Sequence, residues 1–304
     1  MRYQLEGLVA AVHSPFNHEG NLDTSAVEAQ ASQLAANGVA AAFVCGTTGE
    51  CSSMTTAERI ALTDAWVRVT RGSTLKVVAH VGSACQADAM VLARSAQKCG
   101  AHAISAVAPS YLKPASVADL VGFMAPVAAA APELPFYYYD IPPLTGVSLG
   151  MVSFLELAAE RIPQLAGIKY SNPDLPQLLE CLNHSSAAFD ILFGIDEALL
   201  ASLAFGVRGA VGSSYNFAAP IYNRLITAFK SGDLATARLE QAQSVRIIRL
   251  LARHGYMAAA KHLMALLGAP VGSVRSPLRS MDDKSKASIE QELHETGLWQ
   301  AIQA

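Results

Sequence analysis

The feature that most limits how this chain can fold is an alternation. Short β-branched or apolar runs are separated by longer segments of helical period, and the pattern continues to about residue 230. Eight runs read as strands: GLVAAV (7–12), AAFV (41–44), KVVAH (76–80), AISAV (103–107), PFYYY (135–139), LAGIK (165–169), DILFG (190–194) and GAVG (209–212). Each leads through turn chemistry into a helical pattern, as when Thr55, with Glu58 three residues on, caps TTAERIALTDAWVRVTR. Parallel strands need a crossover, which a helix supplies, so each strand with its helix is one βα unit. Eight evenly spaced units fit a (β/α)8 TIM barrel of the α/β class, whereas an open doubly wound sheet would need a switch point that the spacing does not suggest. From Asp233 onward the pattern is helical only. The expected organisation is a barrel over residues 1–232 and a C-terminal helical extension, 233–304, packed on it.

Composition narrows the partners. The 304 residues are 52% hydrophobic and 15% charged, with a mean hydropathy of +0.28, so part of the surface is expected to be covered by other subunits. Net charge is −3 with a pI near 6.2 and no run of like charges, which argues against nucleic acid and anionic membrane as partners. The five cysteines contain no C-x-x-C pair and are odd in number, as expected for free thiols in a reducing compartment. The longest apolar stretch, around VGFMAPVAAAAP, contains prolines and falls short of the roughly 18 residues of a membrane span. The opening MRYQLEGLVAAVHSPFN does not read as a signal peptide, so a cytoplasmic location is expected.

The eight histidines form no H-x-H, H-E-x-x-H or Cys/His cluster, so no metal is expected. There is no G-x-S-x-G elbow, no G-x-G-x-x-G after a strand and no G-K-[ST] of a P-loop, and no cofactor is expected.

In a (β/α)8 barrel the reactive groups come from the C-terminal ends of strands. Lys169 ends the sixth run, where the next core residue would stand. Apolar surroundings strip hydration from an ammonium and favour the free amine that attacks a ketone. A lysine that snorkels to solvent or pairs with a carboxylate fits the same position. In FYYYD, Tyr137 and Tyr139 share one face and Tyr138 takes the other. Tyr139, at the strand end, is the phenol suited to move a proton, although all three also fit as space-filling β-formers. The loop CGTTGECS offers Thr47, Thr48 and backbone N–H groups to an anion such as a carboxylate, or is a glycine turn. Asp196 and Glu197 in GIDEALL are either acceptors for substrate hydroxyls or ordinary first-turn acids. Ser213 and Ser214 follow the eighth run.

Together GTTGE (46–50), YYYDIP (137–142), GIKYS (167–171) and GSSYN (212–216) resemble the pyruvate-dependent Schiff-base aldolase and lyase family that includes the dihydrodipicolinate synthases. The resemblance covers essentially the whole chain. IPPLTG carries Leu144 and lacks the arginine usual in the synthases; YLKP, LFGIDE and AVGSSYN are closer to the branch that cleaves sialic acids.

That resemblance implies an imine between Lys169 and C2 of a keto acid, with Thr47 and Thr48 on its carboxylate and Tyr139 exchanging a proton with the C4 hydroxyl. It implies Ser171 near the reacting centre, with Gly194, Asp196, Glu197 and Ser213 toward the polyol. Tyr111, in APSYLKP, matches a tyrosine lent across a subunit interface, hence a homotetramer. The implied reaction is reversible cleavage of N-acetylneuraminate to N-acetyl-D-mannosamine and pyruvate. Another 2-keto-3-deoxy sugar acid as substrate, or a non-catalytic keto-acid or sugar sensor, are the alternatives; Lys169, Tyr139 and GTTGE occurring together speak against the sensor. The sequence departs from the branch at Asp140, in place of His or Asn, at Ser110, in place of an aromatic, and at Cys45 and Cys51 around the loop. Asp140 either biases the neighbouring phenol or points away from it.

Overall fold

The computed structural model describes residues 3–184 and 189–303. Eight parallel strands pair in sequence order and close, β8 returning to β1: β1 (Gly7–Ala11), β2 (Ala41–Val44), β3 (Lys76–His80), β4 (Ala103–Val107), β5 (Phe136–Asp140), β6 (Leu165–Tyr170), β7 (Asp190–Phe193) and β8 (Gly209–Gly212). The (β/α)8 barrel expected from the alternation is therefore the fold. Strand limits shift by one residue at β1, β5, β6 and β7. At β5 the cause is plain, because Pro135 has no N–H to give the ladder and only accepts a bond from the Ile104 N–H.

The helices are α1 (Val27–Ala36), α2 (Thr56–Thr70), α3 (Gln86–Cys99), α4 (Val117–Ala129), α5 (Pro142–Thr145), α6 (Met151–Arg161), α7 (Leu175–Asn183), α8 (Leu199–Ala204), α9 (Tyr215–Lys230), α10 (Leu234–Arg253), α11 (Tyr256–Leu266), α12 (Asp283–Glu295) and α13 (Leu298–Gln303). Helix α2 opens on the expected capping box, Thr55 accepting from the Glu58 N–H and Glu58 from the Thr55 N–H. The last helical stretch, which reads as continuous, breaks at Gly297, whose φ of +71° ends α12 before α13 begins. Arg224 on α9 grips Glu240 on α10 with two 3.0 Å bonds and donates to the Ala301 carbonyl in α13. No helix among the described residues is long and apolar enough to cross a membrane.

Two apolar layers result. Tyr137 and Tyr139 join Phe43, Ala166 and Leu192 inside the barrel, while Tyr138 packs outside with Phe154, its ring 4.6 Å away. The alternation read in FYYYD therefore holds. It does not hold along β6. Leu165 pairs with Phe136, but Gly167 pairs with Tyr137, so one residue is extra in β6. Leu165 and Ile168 then face outward and Ala166 inward, and Lys169 meets the interior rings of Phe43 and Tyr139.

Gly167 is required by a close approach: a Cβ there would lie 1.8 Å from the Asp190 carbonyl oxygen, with further Asp190 backbone within 3 Å. Because only backbone could yield, Gly167→Ala is expected to destabilise the barrel by about 3 kcal/mol or more, measured by urea unfolding. An unchanged midpoint would show that β6 and β7 separate freely.

Candidate active site

The β5–β6 register makes Tyr139 and Lys169 direct neighbours at the C-terminal ends of their strands. The Lys169 side chain does not snorkel: the residue is 3% exposed, and its Nζ lies 3.8 Å from the Tyr139 ring centre and 4.2 Å from that of Phe43. Those two rings meet edge to face at 5.9 Å, so the amine rests against a rigid aromatic corner. Among the described residues Lys169 has no ion-pair partner, which also removes the reading of a simple salt bridge.

The loop after β2 reaches the same corner. Thr47 Oγ1 lies 3.4 Å from the Tyr139 hydroxyl, while Thr48 is buried beside it. Two non-glycine residues in left-handed backbone, Cys45 (φ 58°) and Glu50 (φ 52°), bracket the four residues between them. Such conformations persist only where surrounding contacts impose them. At Cys45 the contact is His80, whose Nδ1 is 2.9 Å from the Cys45 carbonyl oxygen. Burial, reinforced by the positive charges of Arg59 and Lys169, holds the His80 imidazole well below its usual pKa. The ring is therefore neutral, and Nδ1–H donates to that carbonyl. Arg59, from α2, in turn donates to the His80 and Gly82 carbonyls.

Ser171, Gly194, Asp196 and Ser213 gather at the ends of β6, β7 and β8. Ser171 donates its N–H to the Asp140 carbonyl, and a Cβ on Gly194 would fall 2.0 Å from Ser171 Oγ, so glycine is what lets that hydroxyl sit there. Asp196 is buried and accepts both the N–H and the hydroxyl of Ser214, whose oxygen also contacts the Tyr222 hydroxyl. Burial pushes the Asp196 carboxyl up; the Ser214 bonds and the Lys169 charge oppose that shift. Ser213 Oγ lies 2.7 Å from the Tyr256 hydroxyl of α11. Glu197 is exposed next to this group. Tyr111 stands apart, 91% exposed beside Leu112 at 82%, without a hydrogen bond in the described chain.

Asp140 points away from Tyr139. It follows Tyr138 in the outward half of the β5 alternation and accepts a 3.0 Å bond from Asn172 Nδ2, and its charge acts on Tyr138, Tyr170 and Cys181. Burial raises its carboxyl from 3.8 to about 6. A carboxyl harder to ionise in the fold than in the open chain favours folding while protonated. Stability from this group is thus full below pH ~3.8 and is lost as pH climbs through ~6. Asp140→Asn is expected to raise stability at pH 8 by up to about 3 kcal/mol, at 1.36 kcal/mol per pKa unit, and to change little at pH 4. Thermal melts at the two pH values decide it; an equal effect at both would mean that ionisation is not the cause.

His80, Tyr222 and Tyr256 escaped the sequence reading, whereas Ser214 is placed on the rim by it. A lone histidine at a strand end and tyrosines within helical runs carry no local mark, and only the closed barrel brings them to this rim.

Fold and rim together define a (β/α)8-barrel enzyme with its polar groups gathered at the C-terminal ends of the strands. The profile of the family described as dihydrodipicolinate synthetase matches residues 4–296, and the chain belongs to that family. An N-acetylneuraminate lyase from Gallus gallus is 37% identical over 297 residues, covering 95% of this chain and 96% of its own. The solved structure of Proteus mirabilis N-acetylneuraminate lyase superposes with a TM-score of 0.94 at 38% identity, over 97% of this chain and 100% of that one. N-acetylneuraminate lyase (sialic acid aldolase) from Aliivibrio salmonicida gives 0.94 at 37%, over 97% and 98%.

Proposed function

We propose that this chain is a class I aldolase that reversibly cleaves N-acetylneuraminate to N-acetyl-D-mannosamine and pyruvate. The observation that carries the reading is a buried amine, Lys169 Nζ, without an ion-pair partner among the described residues and 3.8 Å from the ring centre of a strand-end tyrosine whose hydroxyl meets Thr47. The similarity to N-acetylneuraminate lyases over nearly the whole chain supports it.

The Lys169 amine adds to C2 of the open-chain keto acid and water leaves, giving an imine. Once protonated, the imine draws the C3–C4 electron pair as that bond breaks, leaving an enamine of pyruvate. Tyr139 takes the C4 hydroxyl proton, and that carbon becomes the aldehyde of the amino sugar. Protonation at C3 and hydrolysis then release pyruvate and regenerate Lys169. Thr47 and Thr48 hold the carboxylate. Ser171, Gly194, Asp196, Glu197 and Ser213 face the polyol, Asp196 acting through the acceptor capacity that Ser214 leaves free. Tyr111 and Leu112, exposed on one chain, are read as covered in a homotetramer, and the protein works in the cytoplasm.

Pyruvate release from N-acetylneuraminate, measured beside 2-keto-3-deoxygluconate, tests the substrate. Faster turnover of N-acetylneuraminate is expected; a strong preference for the other acid would reassign the enzyme within its family.

A further inference from the structure

The mechanism leaves one buried ion pair unused, and it lies directly behind the threonine loop. Lys261 of α11 and Glu50 at the end of that loop meet at 2.6 Å, with side chains 1% and 2% exposed. Lys261 also donates to the Ser14 and Ser273 carbonyls, each at 2.9 Å. The second Glu50 oxygen accepts the Arg275 N–H at 2.8 Å, and Ser14 Oγ donates to the Gly49 carbonyl. Glu50 is also one of the two left-handed residues that bracket the loop. One bracket, Cys45, is held from inside the barrel by His80; at the other, the Glu50 backbone bonds within the loop to Thr47 and Ser53, while its side chain is held from the C-terminal segment by Lys261 and Arg275.

Apolar packing at this point would satisfy burial but would not fix a direction. A lysine bonded to two carbonyls and ion-paired with one carboxylate oxygen, while the other oxygen accepts the Arg275 N–H, leaves little freedom of direction. Because Thr47 Oγ1 stands 3.4 Å from the Tyr139 hydroxyl, any relaxation at Glu50 is felt at the catalytic corner.

We propose that Lys261 is a positioning residue for the carboxylate-binding loop, acting through Glu50, so that the C-terminal helices set how tightly the keto-acid carboxylate is held. This rests on the proposed imine chemistry, which supplies the assay. Pyruvate is titrated against borohydride trapping in the full-length protein, which gives a half-saturating concentration and a maximal adduct yield. Glu50→Gln removes the charge while keeping an acceptor for Arg275, and the double variant Glu50→Gln/Lys261→Met removes both charges without stranding either one. In each, half-saturation is expected to rise by about tenfold or more, with the maximal yield at Lys169 within about threefold of the unaltered protein. Arg224→Met, which breaks the α9–α10 pair away from the loop, supplies a control for the loss of an ion pair elsewhere in the fold and is expected to leave half-saturation unchanged.

Wild-type half-saturation in either folded loop variant overturns the proposal, as does an equal rise in the Arg224 control. Should the double variant not fold, Glu50→Gln alone decides. Absence of trapping in the unaltered protein would instead remove the imine reading itself, and this inference with it.

Discussion

Lys169→Ala is expected to lower turnover of N-acetylneuraminate by at least about 10⁴-fold and to abolish the borohydride-trapped pyruvate adduct. No other amine described in the structure stands ready to replace it. Lys261 is the other buried lysine, but Glu50 and two carbonyls engage its ammonium. The substitution also removes a polar head group buried against two rings, so relief of polar burial and loss of packing oppose each other in the folding energy. The variant should therefore fold, which near-ultraviolet circular dichroism can check. Mass spectrometry of the reduced adduct supplies the direct readout, with one pyruvate on the peptide carrying Lys169 in the unaltered protein and none in the variant. An adduct of equal yield in folded Lys169→Ala would sink the imine mechanism.

Tyr139→Phe separates proton transfer from everything else that residue does. The phenyl ring would keep its contact with the Lys169 amine and its edge-to-face meetings with Phe43, at 5.9 Å, and His80, at 6.0 Å. Only the hydroxyl and its long approach to Thr47 disappear. Loss of a positioned acid–base group costs about 10²–10⁴-fold, and that loss is expected in kcat, with KM changed far less. Pyruvate should still be trapped on Lys169, because imine formation with pyruvate breaks no C3–C4 bond. A kcat within about threefold of the unaltered enzyme would show that the proton moves elsewhere.

Much of this was legible beforehand. The eightfold βα period determined the barrel, since strands of that length joined by helices admit few other closed arrangements. The period-two pattern sent Tyr137 and Tyr139 inward and Tyr138 outward, because strand geometry alone sets that alternation. Thr55 and Glu58 marked the start of α2 because a capping box is satisfied by residues three apart, without help from the rest of the chain.

The orientation of Lys169 lay beyond such local rules. With strict alternation Leu165 and Lys169 would share a face, yet Leu165 packs outside the barrel and Lys169 within it. One extra residue in β6, visible only in its pairing with β5, reverses the strand's faces between the two. The supports of the threonine loop were likewise out of reach, since Lys261 and Arg275 come from more than 200 residues further along the chain to hold Glu50. The sequence by itself determined the barrel, its order and the ends where chemistry could sit, because those follow from periodicity and short-range sterics. The tertiary structure decided which way the lysine points and what holds the loop beside it, because strand register and long-range contacts exist only once the barrel has closed.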